Sequence, residues 1–309
     1  MPIKREEVVA ALKQVIELRG NLKLLSTYYE APISSDGRIR CGYKIHGTIT
    51  GRLSSAKYWD DTGTNLQNIP PEARKCFLPD EGHVFIEADL SQAEARVVAY
   101  LAEDETLIRL FTEGGDIHKK VASLMFRKLV EDVTKAERKN AKKCVHALNY
   151  DMRAPTFAQQ SGISLAEAKR CRALYFATFP KLDIWHREVA YRLTKSRTMC
   201  TPFGRKRLFL GQYSETLVKE ALAFVPQSTV GDITTRGVRL LHDSLPTGAS
   251  LALTVHDSIT VDCAPEQVEE VIGLMQGALT YPLAINGRTC VIPIDFKVGS
   301  NWGDMHGIQ

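Results

Sequence analysis

Val84-Phe85-Ile86-Glu87-Ala88-Asp89 is a short run of β-branched, aromatic and small residues that ends on a carboxylate. Its length and composition predict a buried strand rather than a helix. Leu251-Ala252-Leu253-Thr254-Val255-His256-Asp257 follows the same plan and also reads as a strand that delivers an aspartate to its end. Two carboxylates drawn together from distant parts of a chain make a site for hard divalent cations, which prefer oxygen ligands. Between them in sequence lies Arg138-Lys139-Asn140-Ala141-Lys142-Lys143, a concentration of positive charge on an expected helix. Metal-holding acids together with a basic helix are what phosphoryl transfer from a triphosphate requires. Taken singly, a strand-end Asp is more often a turn or helix cap, and a basic stretch is usually a solvated face. The ordered company of these residues favours the chemistry.

The 309 residues exceed one ordinary domain and can bury a sizeable core. Hydrophobic residues make up 44% and charged residues 25%, as in ordinary globular proteins. A net charge of +4 is mildly basic, so a nucleic-acid surface must be a local patch. The seven cysteines are scattered without a C-x-x-C pair. That excludes a disulfide framework or zinc motif as the organising feature and points to a reducing compartment. No apolar stretch approaches ~18 residues, so no membrane span is expected, and the N-terminus lacks a signal-peptide core.

Apolar residues at Val8, Leu12 and Ile16 predict an amphipathic helix over 5–19, with Gly20 as its stop. Residues 32–72 are rich in Gly, Ser, Thr, Asn and Pro and read as short strands and loops. A helix follows over 91–101. A long helical region over 104–198 is broken at Gly114-Gly115, Pro155, Gly162 and Pro180. A basic turn, Arg205-Lys206-Arg207, leads into a short strand. Helix is expected over 214–244 and 265–278, and strand over 251–262 and 290–298. Helices beside a mixed sheet give an α+β class.

Several strings occur in a distinctive order. They are Thr50-Gly51-Arg52-Leu53-Ser54-Ser55, Asn65-Leu66-Gln67-Asn68-Ile69-Pro70 and Asp89-Leu90-Ser91-Gln92-Ala93-Glu94-Ala95-Arg96. Arg138, Lys142 and Tyr150 follow at helical spacing, then Gln227 ahead of Gly231-Asp232, then Val255-His256-Asp257-Ser258. From about residue 22 onward the chain resembles the polymerase module of the family A DNA polymerases, the group of bacterial DNA polymerase I and many phage replicative enzymes. The resemblance implies a right-hand architecture. A residual thumb-base helix would occupy 1–28, the palm 29–103 and 223–309, and helical fingers 104–222. The thumb would be largely absent, and no proofreading exonuclease site fits in the chain.

By resemblance, two Mg2+ ions, replaceable by Mn2+, would sit on Asp89, Asp257 and the backbone carbonyl of Leu90. Ser258 stands where many members have a second acid. Gln92, Glu94, His118, Arg138, Lys142, His146 and Tyr150 would form the nucleotide site. Glu94 would be the sugar selector, and Arg138, Lys142 and His118 the phosphate contacts. Lys142 joins Asp89 and Asp257 as a catalytic residue. Arg52, Asn65, Gln67, Gln227 and His256 would meet primer–template DNA. Minor-groove acceptors are shared by A·T and T·A pairs, so such contacts check geometry without reading sequence. Arg96 is expected to be a structural ion-pair partner, and Arg205-Lys206-Arg207 either to meet phosphate or to form a solvated turn.

Two residues depart from the family pattern. His146 replaces the usual Phe or Tyr, and Asp151 follows Tyr150 where Gly is usual. Arg153 is a candidate to answer the Asp151 charge. The segment 56–64 is longer than the family's link. The implied partners are primer–template DNA, dNTPs and a separate thumb, clamp or exonuclease subunit, with no membrane. The implied setting is the cytoplasm of a bacterium or a phage-infected host. The expected function is templated addition of deoxynucleotides to a primer 3′ end. Two alternatives stay open: a related single-subunit RNA polymerase, which Glu94 opposes, and a non-catalytic or partner-dependent fragment that binds primer–template.

Overall fold

A computed structural model describes residues 5–113 and 116–308. The expected break at Gly114-Gly115 lies outside the described residues. In chain order the helices are α1 (Arg5–Leu24), α2 (Ala93–Leu101), α3 (Glu105–Thr112), α4 (Ile117–Phe126), α5 (Lys135–Asn149), α6 (Ala154–Ser161), α7 (Leu165–Thr178), α8 (Pro180–Lys195), α9 (Glu215–Ser244) and α10 (Val268–Leu279). The strands are β1 (Gly42–Lys44), β2 (Ser54–Ala56), β3 (Val84–Leu90), β4 (Thr198–Cys200), β5 (Lys206–Leu208), β6 (Ser250–Val255), β7 (Ser258–Cys263), β8 (Leu283–Ile285), β9 (Arg288–Cys290), β10 (Ile294–Gly299) and β11 (His306–Ile308). The chain forms two compact units. The first takes in the chain up to Asp89, Val238–Met275 and the stretch from Asp295. The second is Leu90–Gly237 with Gln276–Ile294.

The first unit carries a five-stranded sheet in the order β11-β10-β3-β7-β6, with β3 and β6 both antiparallel to β7. Phe85, Glu87 and Asp89 stand opposite Asp262, Thr260 and Ser258. Side chains alternate along a strand, so these six share one face, while Ile86, Ala88, Ile259 and Val261 share the other. That second face is fully apolar and buried. Above the first face, Phe85, Leu253 and Val255 join Leu66, Ile69, Ala73 and Trp302 in a core cluster. Arg74 lies 4.4 Å over the Trp302 ring.

The expected strand over 251–262 is a hairpin of two strands. Val255 pairs with Ser258, and His256 and Asp257 form the turn. His256 has φ 56°. Two-residue hairpin loops need such a value, and a non-glycine residue there costs about 1 kcal/mol. Asp257 is therefore a turn residue rather than a strand end. The expected 290–298 strand also divides, because β9 pairs with β8 while β10 enters the main sheet. Helix α1 runs past Gly20 to Leu24. A Cβ at Gly20 would meet nothing within 4 Å, and an exposed helix tolerates glycine at a cost of about 1 kcal/mol. Its apolar positions Val8, Leu12 and Ile16 are exposed.

The second unit is mainly helical. Among the described residues, Phe157, Phe179, Phe209 and Phe224 are its largest fully buried side chains. Pro155 and Pro180 open α6 and α8, and Gly162, at φ 71°, ends α6. Helix α5 begins with a capping box between Thr134 and Glu137. Ala141, Cys144, Val145 and Leu148 recur at three- and four-residue steps and are buried. Burying that stripe fixes which side of α5 stays accessible.

Candidate active site

In the first unit, Asp89 is the next-to-last residue of β3, and the β6–β7 turn holds Asp257 next to the Ser258 that pairs with Asp89. The turn is braced from several sides. Tyr43 Oη donates to the Thr254 carbonyl at 3.0 Å and accepts from the Thr254 N–H at 2.8 Å. Ser258 is buried, and its hydroxyl donates to the Val255 carbonyl at 3.0 Å. Ser258 thus serves the hairpin.

Burial raises the Asp89 carboxyl to about 7. Asp257, Glu87 and Asp295 push the same way, and Lys297 opposes them. Glu87 is a charge in the middle of an apolar strand. Lys297 Nζ meets its carboxylate at 2.6 Å, and Trp302 Nε1 donates to it at 3.4 Å. Sequence patterning shows Glu87 as an exception but does not name a partner so far along the chain. A buried, acid-rich strand end with hard oxygen donors fits a divalent cation, which would relieve the repulsion that raises Asp89.

A raised carboxyl makes the folded state bind a proton that the unfolded chain releases. The stability that Asp89 contributes is present below about pH 4 and is lost as pH rises through about 7. In metal-free protein Asp89→Asn should therefore raise Tm by about 2–5 °C at pH 8, with much less change at pH 4. Mg2+ should stabilise wild type at pH 8 and do little for the variant. Thermal melts at the two pH values check this, and a lower Tm for Asp89→Asn at pH 8 would contradict it.

A second group of ligand-type residues lies in the same unit. Asp80, His83 and Asp262 bring ligand atoms within 4.8 Å of one another. Asp262 accepts from the Asp80 N–H at 2.8 Å and contacts His83 Nδ1 at 2.6 Å, and Arg38 pairs with Asp80. These bonds account for the group as a brace between the 80–83 turn and β7. Asp262 also lines a cleft of about 920 Å3 with Tyr28, Arg38, Arg40, Tyr43 and Phe77, and neither Asp89 nor Asp257 lines it.

The residues expected at DNA divide. Gln67 is engaged at both ends of its amide, accepting from the Ser55 N–H at 3.0 Å and donating to the Thr254 carbonyl at 3.3 Å. The Asn65 side chain caps the turn by accepting from the Gln67 N–H at 3.0 Å. Both therefore support the hairpin that carries Asp257. The Arg52 carbonyl accepts from Thr48 Oγ1 at 2.8 Å. His256 is exposed at the turn. Gln227, in the second unit, is half-buried in α9 after Pro226.

The second unit builds the phosphate-type face of α5. Asp116 caps α4 by accepting from the N–H groups of His118 and Lys119, and it accepts from Arg138 Nε at 2.6 Å. Burial works against the Asp116 charge, but Arg138 and the Lys119 N–H outweigh it and hold the carboxyl below its usual range. The Arg138 fork is thus aimed by Asp116. Lys142 lies one turn further on and is exposed.

Taken alone, His118 reads as a helix-surface residue, yet it is buried. Burial pushes its pKa down to about 4, with Arg138 and Lys142 adding to the effect and Asp116 opposing it. The ring is therefore neutral at pH 7, and its Nδ1 has no hydrogen-bond partner among the described residues. Gln92, at φ 52° between β3 and α2, has a buried Oε1 in the same condition.

Tyr150 Oη donates to Glu94, and the exposed His146 ring stands edge-on to Tyr150 at 5.6 Å between centroids. One expectation is corrected here. Arg172, not Arg153, pairs with Asp151, at 2.7 Å, while Arg153 pairs with Glu215. Arg96 donates to the carbonyls of Ser91 and Phe111. Arg205 and Arg207 of the basic turn pair with Asp232 and Glu220, so the turn is tied to α9.

Acids sit near the end of one strand and in the neighbouring hairpin, and a separate helical unit bears a basic face. A family model, DNA polymerase family A, matches residues 3–304, and the chain belongs to that family. It is 30% identical over 311 residues to the thermostable DNA polymerase I of Thermus aquaticus, covering 94% of this chain and 36% of that protein. It is 29% identical to DNA polymerase I of Aquifex aeolicus, covering 95% of this chain and 51% of that one. A solved structure, the POL domain of Pol1 from M. smegmatis in complex with DNA primer-template and dNTP, matches with a TM-score of 0.79 at 28% identity. It covers 94% of this chain and 52% of that chain. The chain thus spans between about a third and a half of these relatives. No helix among the described residues is long and apolar enough to cross a membrane.

Proposed function

We propose that the chain adds deoxynucleotides to the 3′ end of a primer on a DNA template, by phosphoryl transfer assisted by two Mg2+ ions. The observation that carries this is the pairing of Asp89 with the Asp257 hairpin, where burial and like charge hold Asp89 near pH 7. Asp89, Asp257 and the Leu90 carbonyl would hold the cations. Bound cations would polarise the reacting phosphate and stabilise the leaving pyrophosphate. The first unit would be the palm and the helices of the second the fingers. Arg138, already oriented by Asp116, and Lys142 would meet the triphosphate, one as a fork and the other as a point charge. A neutral His118 would donate a hydrogen bond to a phosphate oxygen without adding charge.

Glu94, held by Tyr150, would crowd a ribose 2′-hydroxyl and leave it unsatisfied. A site that strands a polar group discriminates strongly. His256 and Gln227 would touch the primer–template. Gln67 and Asn65 would act on DNA through the hairpin they support.

Primer extension by the chain alone, with Mg2+ and either dNTPs or rNTPs, tests this reading. Extension should require template, Mg2+ and dNTPs, and should be weak with rNTPs. Glu94→Ala should raise the rNTP/dNTP ratio by about two orders of magnitude or more. A wild-type preference for rNTPs would favour an RNA polymerase, and an unchanged ratio in Glu94→Ala would remove the gate assignment.

A further inference from the structure

The residues on both sides of Tyr150 are held by side chains of α7 and α8. Before it, Asn149 is buried. Its carbonyl meets His186 Nε2 at 2.9 Å, and its side-chain oxygen accepts from Tyr175 Oη at 2.7 Å. After it, the chain turns sharply. The Asp151 N–H donates to the Leu148 carbonyl at 3.2 Å and the Met152 N–H to the Ala147 carbonyl at 2.9 Å. That pair of bonds is the helix stop in which the left-handed position normally belongs to glycine. Here the position is Asp151, at φ 55°. An aspartate there is strained, and strain of this kind persists where surrounding contacts over-determine it.

Those contacts come from one guanidinium. Arg172 Nη2 donates to Asp151 Oδ1 at 2.7 Å, and Nη1 donates to the Met152 carbonyl at 3.3 Å. The same guanidinium lies 4.6 Å over the Phe176 ring, one helical turn along α7. Arg172 is thus held from behind by an aromatic face and grips the turn in front. A glycine at 151 would satisfy the backbone at less cost, so the aspartate adds the grip rather than the shape.

We infer that Asp151 and Arg172 form a latch that holds Tyr150 in its hydrogen bond to Glu94, making both of them positioning residues for the choice of sugar. The inference deepens the proposed function and rests on the reading of Glu94 as the sugar gate. Glycine at the turn would let Tyr150 move with the end of α5. The latch makes the gate stiff in this chain.

The test uses the full chain and three variants: Asp151→Gly, Arg172→Met and Glu94→Ala. Single-turnover incorporation of a matched dNTP and the matched rNTP gives a rate and an apparent affinity for each, and thermal melts give Tm. Asp151→Gly relieves backbone strain while losing the Arg172 contact, so its Tm should stay within about 2 °C of wild type. Its rNTP/dNTP discrimination should nonetheless fall about tenfold, mainly through tighter rNTP binding, with the matched dNTP rate within about threefold. Arg172→Met keeps the packing on Phe176 and should show the same loss of discrimination. If Glu94→Ala relaxes sugar choice while both latch variants keep wild-type discrimination, the latch is overturned and the gate stands. If Glu94→Ala leaves sugar choice unchanged, the gate reading fails and the latch fails with it.

Discussion

Asp89→Ala and Asp257→Ala should each reduce primer extension at least about 1000-fold while leaving primer–template binding intact or slightly tighter. On the proposed reading, either change would remove a hard ligand from a site whose remaining acid could not hold a cation in reacting geometry alone. Removing a carboxylate also lowers repulsion toward DNA phosphates, so loss of turnover and loss of DNA binding should separate. The two variants should differ in stability. Asp89→Ala relieves a carboxyl that burial and the charges of Asp257, Glu87 and Asp295 raise to about 7, whereas Asp257 sits in a hairpin turn braced by Tyr43. Rapid-quench extension with gel-shift binding on the same preparations checks both. Extension near the wild-type rate by either variant would mean that the cations, if needed, are held elsewhere.

Lys142→Ala should lower turnover by about 100-fold to 1000-fold, because on the proposed reading it would remove a charge directed at the reacting phosphates. Lys139→Ala should change turnover less than about threefold. The two positions lie about 60° apart around α5, and both are exposed. Exposure therefore does not distinguish them, and only direction does. The Ala141, Cys144, Val145 and Leu148 stripe fixes the helix rotation, and Asp116 fixes Arg138 on the Lys142 side. Equal small effects of the two substitutions would return this stretch to an ordinary solvated face.

The strand that carries Asp89 and the face of α5 were legible in the sequence because their information is local. A four-to-seven-residue apolar run and a three-and-four-residue stripe declare their element and orientation. The β6–β7 hairpin was not legible. Its turn, His256-Asp257, has no Gly, Asn or Pro, and the apolar alternation continues on both sides, so the run reads as one strand. Helix α1 passes Gly20 because nothing tertiary punishes a glycine on an exposed helix. The partners of charged residues were the least legible. Asp151 finds Arg172 a helix and a half further along rather than the neighbouring Arg153, and Glu87 finds Lys297 near the other end of the chain. Such pairings are set by how helices and strands pack, and the pattern around either residue alone carries no trace of them. His118 alone reads as a helix-surface residue, whereas the structure buries it. Its burial, the main cause of its low pKa, comes from the packing of α4 against α5, and Asp116 opposes the shift.

Single-turnover incorporation at enzyme concentrations well above primer–template tests the central claim most directly. Excess enzyme compensates for weak DNA binding, so the result reports on the chemistry of the site. Each of the four dNTPs is offered opposite each template base with Mg2+. The complementary dNTP should be added fastest in every case, by about 100-fold or more, and omission of Mg2+ should abolish addition. Absence of Mg2+-dependent addition, or addition that ignores the template base, would contradict the assignment of Asp89 and Asp257 to templated nucleotidyl transfer.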